Sequence, residues 1–480
     1  MTKFRQRSVK RIVAAFGLIM FFFSILTVRL VYVQVFSAAE LSSKQSSLMT
    51  RQISLTATRG DILDRNRNIL ASDASCSMIS VTPNDIVKGN DENVSRFLSD
   101  ALGLSYETVY AKVSDKSKNT LTIKRGVDNA TALAIREAKV PGVVITEDKK
   151  RYYTDPTSAQ YILGFVGADH TGRYGIEAIY NEELKGSDGS QSFLMDSTGR
   201  KIESGANAKI ESEPGNDVVL AIDRNIQYYT DKAVQEAYWR NGPKRVIAVV
   251  SDPYTGEILA ASAYPAFDLE NAWDIDGDFY SSFQSDLADK TVAEQQLEMW
   301  KNPFTSFIYE PGSTFKSITV SSGLEAGAVG MNSNFYCAGS MRVDSITYKC
   351  HIFPRGHGSE SLTDAIVNSC NPAMMQIAMR MGTDTFYSYI QQFGFGAKTG
   401  VELDGEESGI LYERTKLVDF VTLGFGQGIG VTPIQMIMAD NAVINGGNLY
   451  KPVLVDSIIN PITKQVIEKN EPKLVRTVIS

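Results

Sequence analysis

Apolar positions crowd the start of the chain. From Ile12 to about Val35 they run almost continuously, broken before Leu26 only by Gly17 and Ser24, and they include Met20-Phe21-Phe22-Phe23. As a helix rising about 1.5 Å per residue, such a stretch covers the ~30 Å hydrocarbon core of a bilayer. Arg29 lies near its far end, where the stem can snorkel to the interface. Lys3, Arg5, Arg7, Lys10 and Arg11 stand directly before it, which predicts a cytoplasmic N-terminus and an extracytoplasmic remainder. The segment exceeds the roughly 7–15 apolar residues of a cleaved signal peptide, and Ser37-Ala38-Ala39 is a weak cleavage signal, so a retained anchor is expected.

Beyond a polar, helix-compatible linker to about Met49, the pattern becomes mixed. Residues 50 to 210 alternate short strand-like runs such as Ile79-Ser80-Val81 with charged amphipathic pieces. Gly186-Ser187-Asp188-Gly189 and Glu211 to Asn216 read as connections. Val218 to Ile222 then reads as a buried strand. Arg245 to Val250 and Glu257 to Ala263 read as a hairpin closed by Asp252-Pro253-Tyr254-Thr255-Gly256. Helical patterns follow at Thr314 to Leu324 and Ala373 to Arg380. Strands followed by helices predict an α+β domain from about residue 215 onward.

Composition narrows the field. A chain of 480 residues implies two or three domains, and 43% hydrophobic with 21% charged residues is a folded composition. A net charge of −7, with no basic cluster beyond the start, gives no nucleic-acid footprint.

The sharpest chemical signal is Tyr309-Glu310-Pro311-Gly312-Ser313-Thr314-Phe315-Lys316. Pro-Gly ends one segment and apolar periodicity begins another, so a helix is expected to start at Ser313. Ser313 and Lys316 then share a face as i and i+3. A serine hydroxyl needs a neighbour to take its proton, and a lysine does so when burial lowers its pKa. The helix N-terminus favours negative charge developing at an attacked carbonyl. S-x-x-K alone is common by chance. Val367-Asn368-Ser369-Cys370-Asn371-Pro372 adds S-x-N, with Ser369 available as a proton relay and Asn371 able to donate to and accept from a peptide group. That order is the one found in penicillin-binding proteins and class A β-lactamases.

The whole chain resembles the class B penicillin-binding proteins. Arg59-Gly60-Asp61-Ile62-Leu63-Asp64-Arg65-Asn66 resembles the first box of their non-catalytic pedestal. Gly175-Ile176-Glu177, Tyr180-Asn181 and Leu184-Lys185-Gly186 resemble its last. Asp252 to Ala260, Pro311 to Lys316, and Gly424-Phe425-Gly426-Gln427 through Gly430-Val431-Thr432-Pro433-Ile434-Gln435 resemble the transpeptidase domain. The resemblance implies a cytoplasmic tail at 1–11, an anchor at 12–35, an elongated mixed pedestal of the dimerisation type at 36–212 and a penicillin-binding/β-lactamase-like domain at 213–480. It implies that Ser313 attacks the D-alanyl-D-alanine amide of a peptidoglycan stem peptide and passes the acyl group to a neighbouring amine, and that β-lactam antibiotics acylate the same serine. It further implies a membrane glycan polymerase as partner and no organic cofactor. A D,D-carboxypeptidase, a β-lactamase, and a catalytically impaired scaffold or β-lactam sensor are the competing functions.

The family's third catalytic element is a Lys-Thr/Ser-Gly triplet on an edge strand. Lys398-Thr399-Gly400 has that sequence but sits between Phe393-Gly394-Phe395-Gly396 and Val401 to Gly405, in what reads as a loop. The resemblance puts the true triplet beyond Ser480, so the expectation is a fragment of a longer protein, with an incomplete cleft that acylates poorly.

Cys337, Cys350, His357 and Cys370 carry the spacing C-x12-C-x6-H-x12-C. Three thiolates and an imidazole form a closed tetrahedral Zn2+ set. Cys370 stands between Ser369 and Asn371, so a metal there would brace the S-x-N loop, and some penicillin-binding proteins resembling this one carry zinc at this place. His351 is the substitute fourth ligand, whereas His170 reads as a loop residue. The competing reading is a Cys337–Cys350 disulfide, as suits an extracytoplasmic domain.

Overall fold

A computed structural model describes residues 2–36, 50–194, 208–412 and 416–480, so the linker expected up to Met49 lies mostly outside the described residues. The chain divides into two compact units, Met1–Ala57 with Ser187–Glu213, and Thr58–Gly186 with Pro214–Ser480.

The first unit holds helix Thr2–Val31, which continues as a π turn at Tyr32–Phe36. Its stretch Arg11–Val35, 25 residues long, holds an 18-residue window of mean hydropathy 2.2, none of which is buried inside the protein. A helix apolar all round and unburied among the described residues is long enough to cross a membrane. Within it the Ser24 hydroxyl donates to Met20 O and the Thr27 hydroxyl to Phe23 O. The same unit contains a three-stranded antiparallel sheet of Thr50–Leu55, Gly189–Leu194 and Ala208–Ile210. Gly189, expected in a connection, opens the second of these strands.

The second unit is organised on a seven-stranded sheet. Along it run Val466–Lys469, Val455–Ile459, Asp217–Leu220, Ile62–Leu63, Ile69–Val81 and Leu121–Val127, and Val143–Tyr153 also pairs with Ile69–Val81. Only Ile62–Leu63 and Asp217–Leu220 pair in parallel. Helices Asp91–Leu102, Tyr106–Val113 and Asn129–Glu137 bury Leu98, Val109 and Ile135 against Ile79 and Val81. The expected buried strand at Val218 is present as Asp217–Leu220, and the expected hairpin as Val246–Ser251 paired antiparallel with Ile258–Tyr264.

The pedestal boxes explain themselves here as structure. Arg59 is 2% exposed; its Nε donates to Glu177 Oε2 at 2.6 Å and its guanidinium also reaches Asn181 Oδ1. Arg151, on the neighbouring strand, donates to the other Glu177 oxygen at 2.6 Å and approaches Asp73 at 3.4 Å. Asp64 Oδ1 accepts from the Asn66 and Asn68 amides and closes the turn of the first box. These charged residues tie the segments of the two boxes together through buried ion pairs and hydrogen bonds.

The largest core surrounds helix Lys316–Glu325, which packs against helices Asn371–Met381 and Pro433–Ile444. Gly323 permits the first crossing, since a Cβ there would lie 2.7 Å from Ile377 Cγ2.

Candidate active site

The expected helix start at Ser313 is replaced by a tighter entry. Gly312–Phe315 is a 3-10 turn running directly into the α-helix Lys316–Glu325. In a 3-10 turn positions i and i+3 eclipse, so Ser313 and Lys316 remain aligned. Pro311 and Gly312 set up the turn, with Gly312 at φ 59°. Ser313 is exposed, whereas Lys316 is 4% exposed. The serine thus stands at the surface and the lysine inside it.

Lys316 Nζ meets three oxygens, Ser369 O at 2.6 Å, Ser369 Oγ at 2.9 Å and Asn371 Oδ1 at 2.8 Å. All are neutral. Burial pushes the Lys316 pKa down to about 8, with the Cys350 and Cys370 sulfurs acting in the opposite sense. Helix Asn371–Met381 begins with Pro372 in its first turn and has Cys370 as its N-cap, which places Asn371 at the helix start. Ser369 has φ 48°, a left-handed backbone that is costly for a serine. That conformation lets both its carbonyl and its hydroxyl face Lys316. The four residues read from the two motifs are therefore at one place, although no hydrogen bond joins Ser313 Oγ to another described residue.

Several residues that hold this turn escape sequence reading. Gly312 N donates to Gly426 O at 2.9 Å, and a Cβ on Gly426 (φ 73°) would lie 2.2 Å from Gly312 O, so the Gly424 to Gln427 box is a backbone-to-backbone brace for the nucleophile turn. Glu310 Oε1 accepts from Gly428 N at 2.7 Å. Asp440, its pKa raised by burial, accepts from the hydroxyl of Ser317 at 2.8 Å. Thr432 and Gln435 form a capping box, and Gln435 Nε2 also donates to Ala397 O and Ser408 O. Glycines at two-residue spacing in the Gly424 box were the one available signal of a close approach.

Lys398-Thr399-Gly400 lies in a loop. Its lysine is exposed, and the Thr399 amide donates to Glu406 Oε1 at 2.7 Å.

Behind Ser369 the thiol set converges. Cys337 ends strand Asn334–Cys337, Cys350 follows Ile346–Lys349, His357 precedes Gly358–Ser361, and Cys370 caps its helix. Their four ligand atoms lie within 4.8 Å of one another, and Cys337, Cys350 and Cys370 are buried free thiols, so no disulfide joins Cys337 to Cys350. A tetrahedral Zn–S site has edges of about 3.8 Å. Burial raises the Cys370 pKa, and a hydrogen bond with Glu360 adds to this. Glu360 is 2% exposed, and its Oε1 accepts from Asn368 Nδ2 at 2.9 Å and lies 3.6 Å from His357 Nδ1. Buried thiols and an imidazole converging beside a buried carboxylate are a donor set that suits a divalent cation. His351 Nδ1 stands 3.8 Å from Cys350 Sγ but on an exposed residue, and His170 lies in a turn 3.8 Å from Asp148 Oδ1.

Residues 246–480 match the family described as the penicillin-binding protein transpeptidase domain, and residues 54–220 match the penicillin-binding protein dimerisation domain. Stage V sporulation protein D of Bacillus subtilis is 35% identical over 474 residues, spanning 98% of this chain and 70% of that protein. Peptidoglycan D,D-transpeptidase FtsI of Escherichia coli is 25% identical over 473 residues, 96% of this chain and 75% of its own. The crystal structure of penicillin binding protein 2X from Streptococcus thermophilus shares the fold, with a TM-score of 0.68 at 21% identity, over 90% of this chain and 64% of that one. A peptidoglycan synthetase from Bifidobacterium adolescentis gives 0.64 at 25% identity, over 90% and 79%.

Proposed function

The chain belongs to the class B penicillin-binding proteins, and on that premise we propose that it cross-links peptidoglycan as a serine-type D,D-transpeptidase with Ser313 as nucleophile. The observation that carries this reading is the exposed Ser313 one turn from a buried Lys316 whose partners are all neutral oxygens.

Neutral Lys316 takes the Ser313 proton as Oγ bonds to the penultimate D-alanine carbonyl carbon. Ser313 N–H, in the first turn and free of an intrahelical acceptor, donates to the oxyanion. The proton then passes through the Ser369 hydroxyl to the terminal D-alanine nitrogen, the C–N bond breaks, and D-alanine leaves. An acceptor amine attacks the ester, gives up its proton by the reverse route and restores Ser313. Asn371 orients the peptide.

Fluorescent penicillin added to the full chain tests the first half. An adduct by intact mass that is absent in Ser313→Ala is expected; labelling that survives Ser313→Ala would sink the assignment. A stem pentapeptide with an added amine separates transfer from hydrolysis by product.

The same reading places residues 1–11 in the cytoplasm, anchors the chain through 12–35, and assigns 36–212 as pedestal and 213–480 as an extracytoplasmic transpeptidase domain. A membrane glycan polymerase is its proposed partner. Zn2+ is proposed at Cys337, Cys350, His357 and Cys370, where it would act as a structural clamp behind the Ser369 loop. Protein purified without chelator should carry one zinc and release it on thiol alkylation after denaturation. Metal-free protein with an oxidised thiol pair would refute the zinc.

A further inference from the structure

Apart from this site, one cavity carries an unexplained charge. It has a volume of about 170 Å³ and is lined by Arg245, Phe279, Phe283, Leu287, Lys301 and Phe307, among others. The Arg245 guanidinium lies 4.6 Å from the Phe283 ring centroid and 5.5 Å from that of Phe279. Its Nε is buried with no hydrogen-bond partner, and Arg245 makes no hydrogen bond or ion pair with any described residue. The Tyr161 hydroxyl, on a residue 4% exposed and within the field of Arg245, is likewise unpartnered.

Leaving a buried donor unmade is costly, and native proteins fill such places with water, an ion or a ligand. Acidic side chains on the wall do not supply the missing acceptor. Asp286 is paired with Lys244, and Glu298 with Lys290 at 2.7 Å. Lys301, also on the wall, has no carboxylate partner among the described residues. The cavity therefore presents two cations without anions. Apart from Lys290 and Ser306 the rest of the wall is apolar, and a space of ~150 Å³ suffices for one benzene ring.

We propose that this cavity binds a small organic anion, its carboxylate or phosphate head held by Arg245 and Lys301 and its single-ring body lying against Leu287 and Phe307. Arginine suits this role because its planar fork meets both oxygens of such a head. The Phe279 and Phe283 rings beside it flank the guanidinium without supplying an acceptor.

The test is calorimetric titration of the full chain in lipid nanodiscs with benzoate, phenyl phosphate, inorganic phosphate and benzyl alcohol. Benzoate or phenyl phosphate should saturate at one equivalent. Benzyl alcohol should bind about 10-fold more weakly or worse, as should the better anion to Arg245→Gln, from loss of a charge-assisted bond. Circular dichroism checks that the variant folds; if it does not, Lys301→Gln carries the test with a smaller loss. The proposal fails if neither aromatic anion saturates, if benzyl alcohol matches them, or if the folded variants bind as tightly as the parent. Inorganic phosphate binding as tightly as phenyl phosphate would remove the apolar body from the proposal.

Discussion

Two buried cationic centres in the same compact unit have been given opposite surroundings. At Arg59 and Arg151 the cations meet carboxylates, those of Glu177 and Asp73, with side chains no more than 2% exposed. Burial by itself would depress Arg151, but Glu177 and Asp73 outweigh it and the pKa is raised. At Lys316 the burial is similar and every partner is an uncharged oxygen, so desolvation wins and the pKa falls to about 8. The difference lies in the partners, since a neutral acceptor stabilises the charge less than an anion does. One centre is a permanent ionic brace, and the other is an amine that can give up its proton near physiological pH.

The largest way to break this contrast is to remove the amine. Lys316→Met should slow acylation by fluorescent penicillin about 10²–10⁴-fold, the ordinary worth of a positioned general base, without altering the far-ultraviolet circular dichroism. A rate within a few-fold of the parent would assign the proton transfer to another group. Removing the shared anion of the brace should instead act on stability. Glu177→Ala leaves two buried guanidinium groups short of a counter-charge and should cost about 3–5 kcal/mol in denaturant unfolding. An unchanged midpoint would show that water or Asp73 alone compensates.

The third experiment makes the second centre resemble the first. The parent's acylation rate should rise as pH climbs through about 8, because neutral Lys316 is the active form and its proton leaves in that range. Asn371→Asp puts a carboxylate on Lys316, which favours the charged amine, and should move that limb upward by about 1–3 pH units. The readout is the position of the limb, so a loss of substrate affinity does not obscure it. A limb that stays in place would mean another group titrates there.

Much of this was legible along the chain because it is local. The anchor is a matter of uninterrupted apolar length, the hairpin at 246–264 of two runs around a Pro-Gly turn, and the nucleophile of four residues at helical spacing. The spacing of Cys337, Cys350, His357 and Cys370 likewise named a metal-competent set before their proximity was visible. Local pattern erred where geometry is finer than periodicity. The helix expected at Ser313 begins as a 3-10 turn at Gly312, and Gly189 opens a strand although glycines usually punctuate connections.

By itself the sequence nominated the side chains proposed to carry chemistry, namely Ser313, Lys316, Ser369, Asn371 and the thiol set, since reactivity belongs to residue type and near neighbours. It also determined the membrane-length helix, because crossing lipid depends on composition. Only the tertiary structure decided what each group faces. Lys316 meets Ser369 and Asn371 across more than fifty residues, Arg151 on its strand joins Glu177 on a short helix, Gly426 presses on Gly312, and Arg245 is left without an anion. The physical reason is that pKa, hydrogen-bond satisfaction and steric fit depend on distances in space, and packing brings together residues that sequence spacing does not relate.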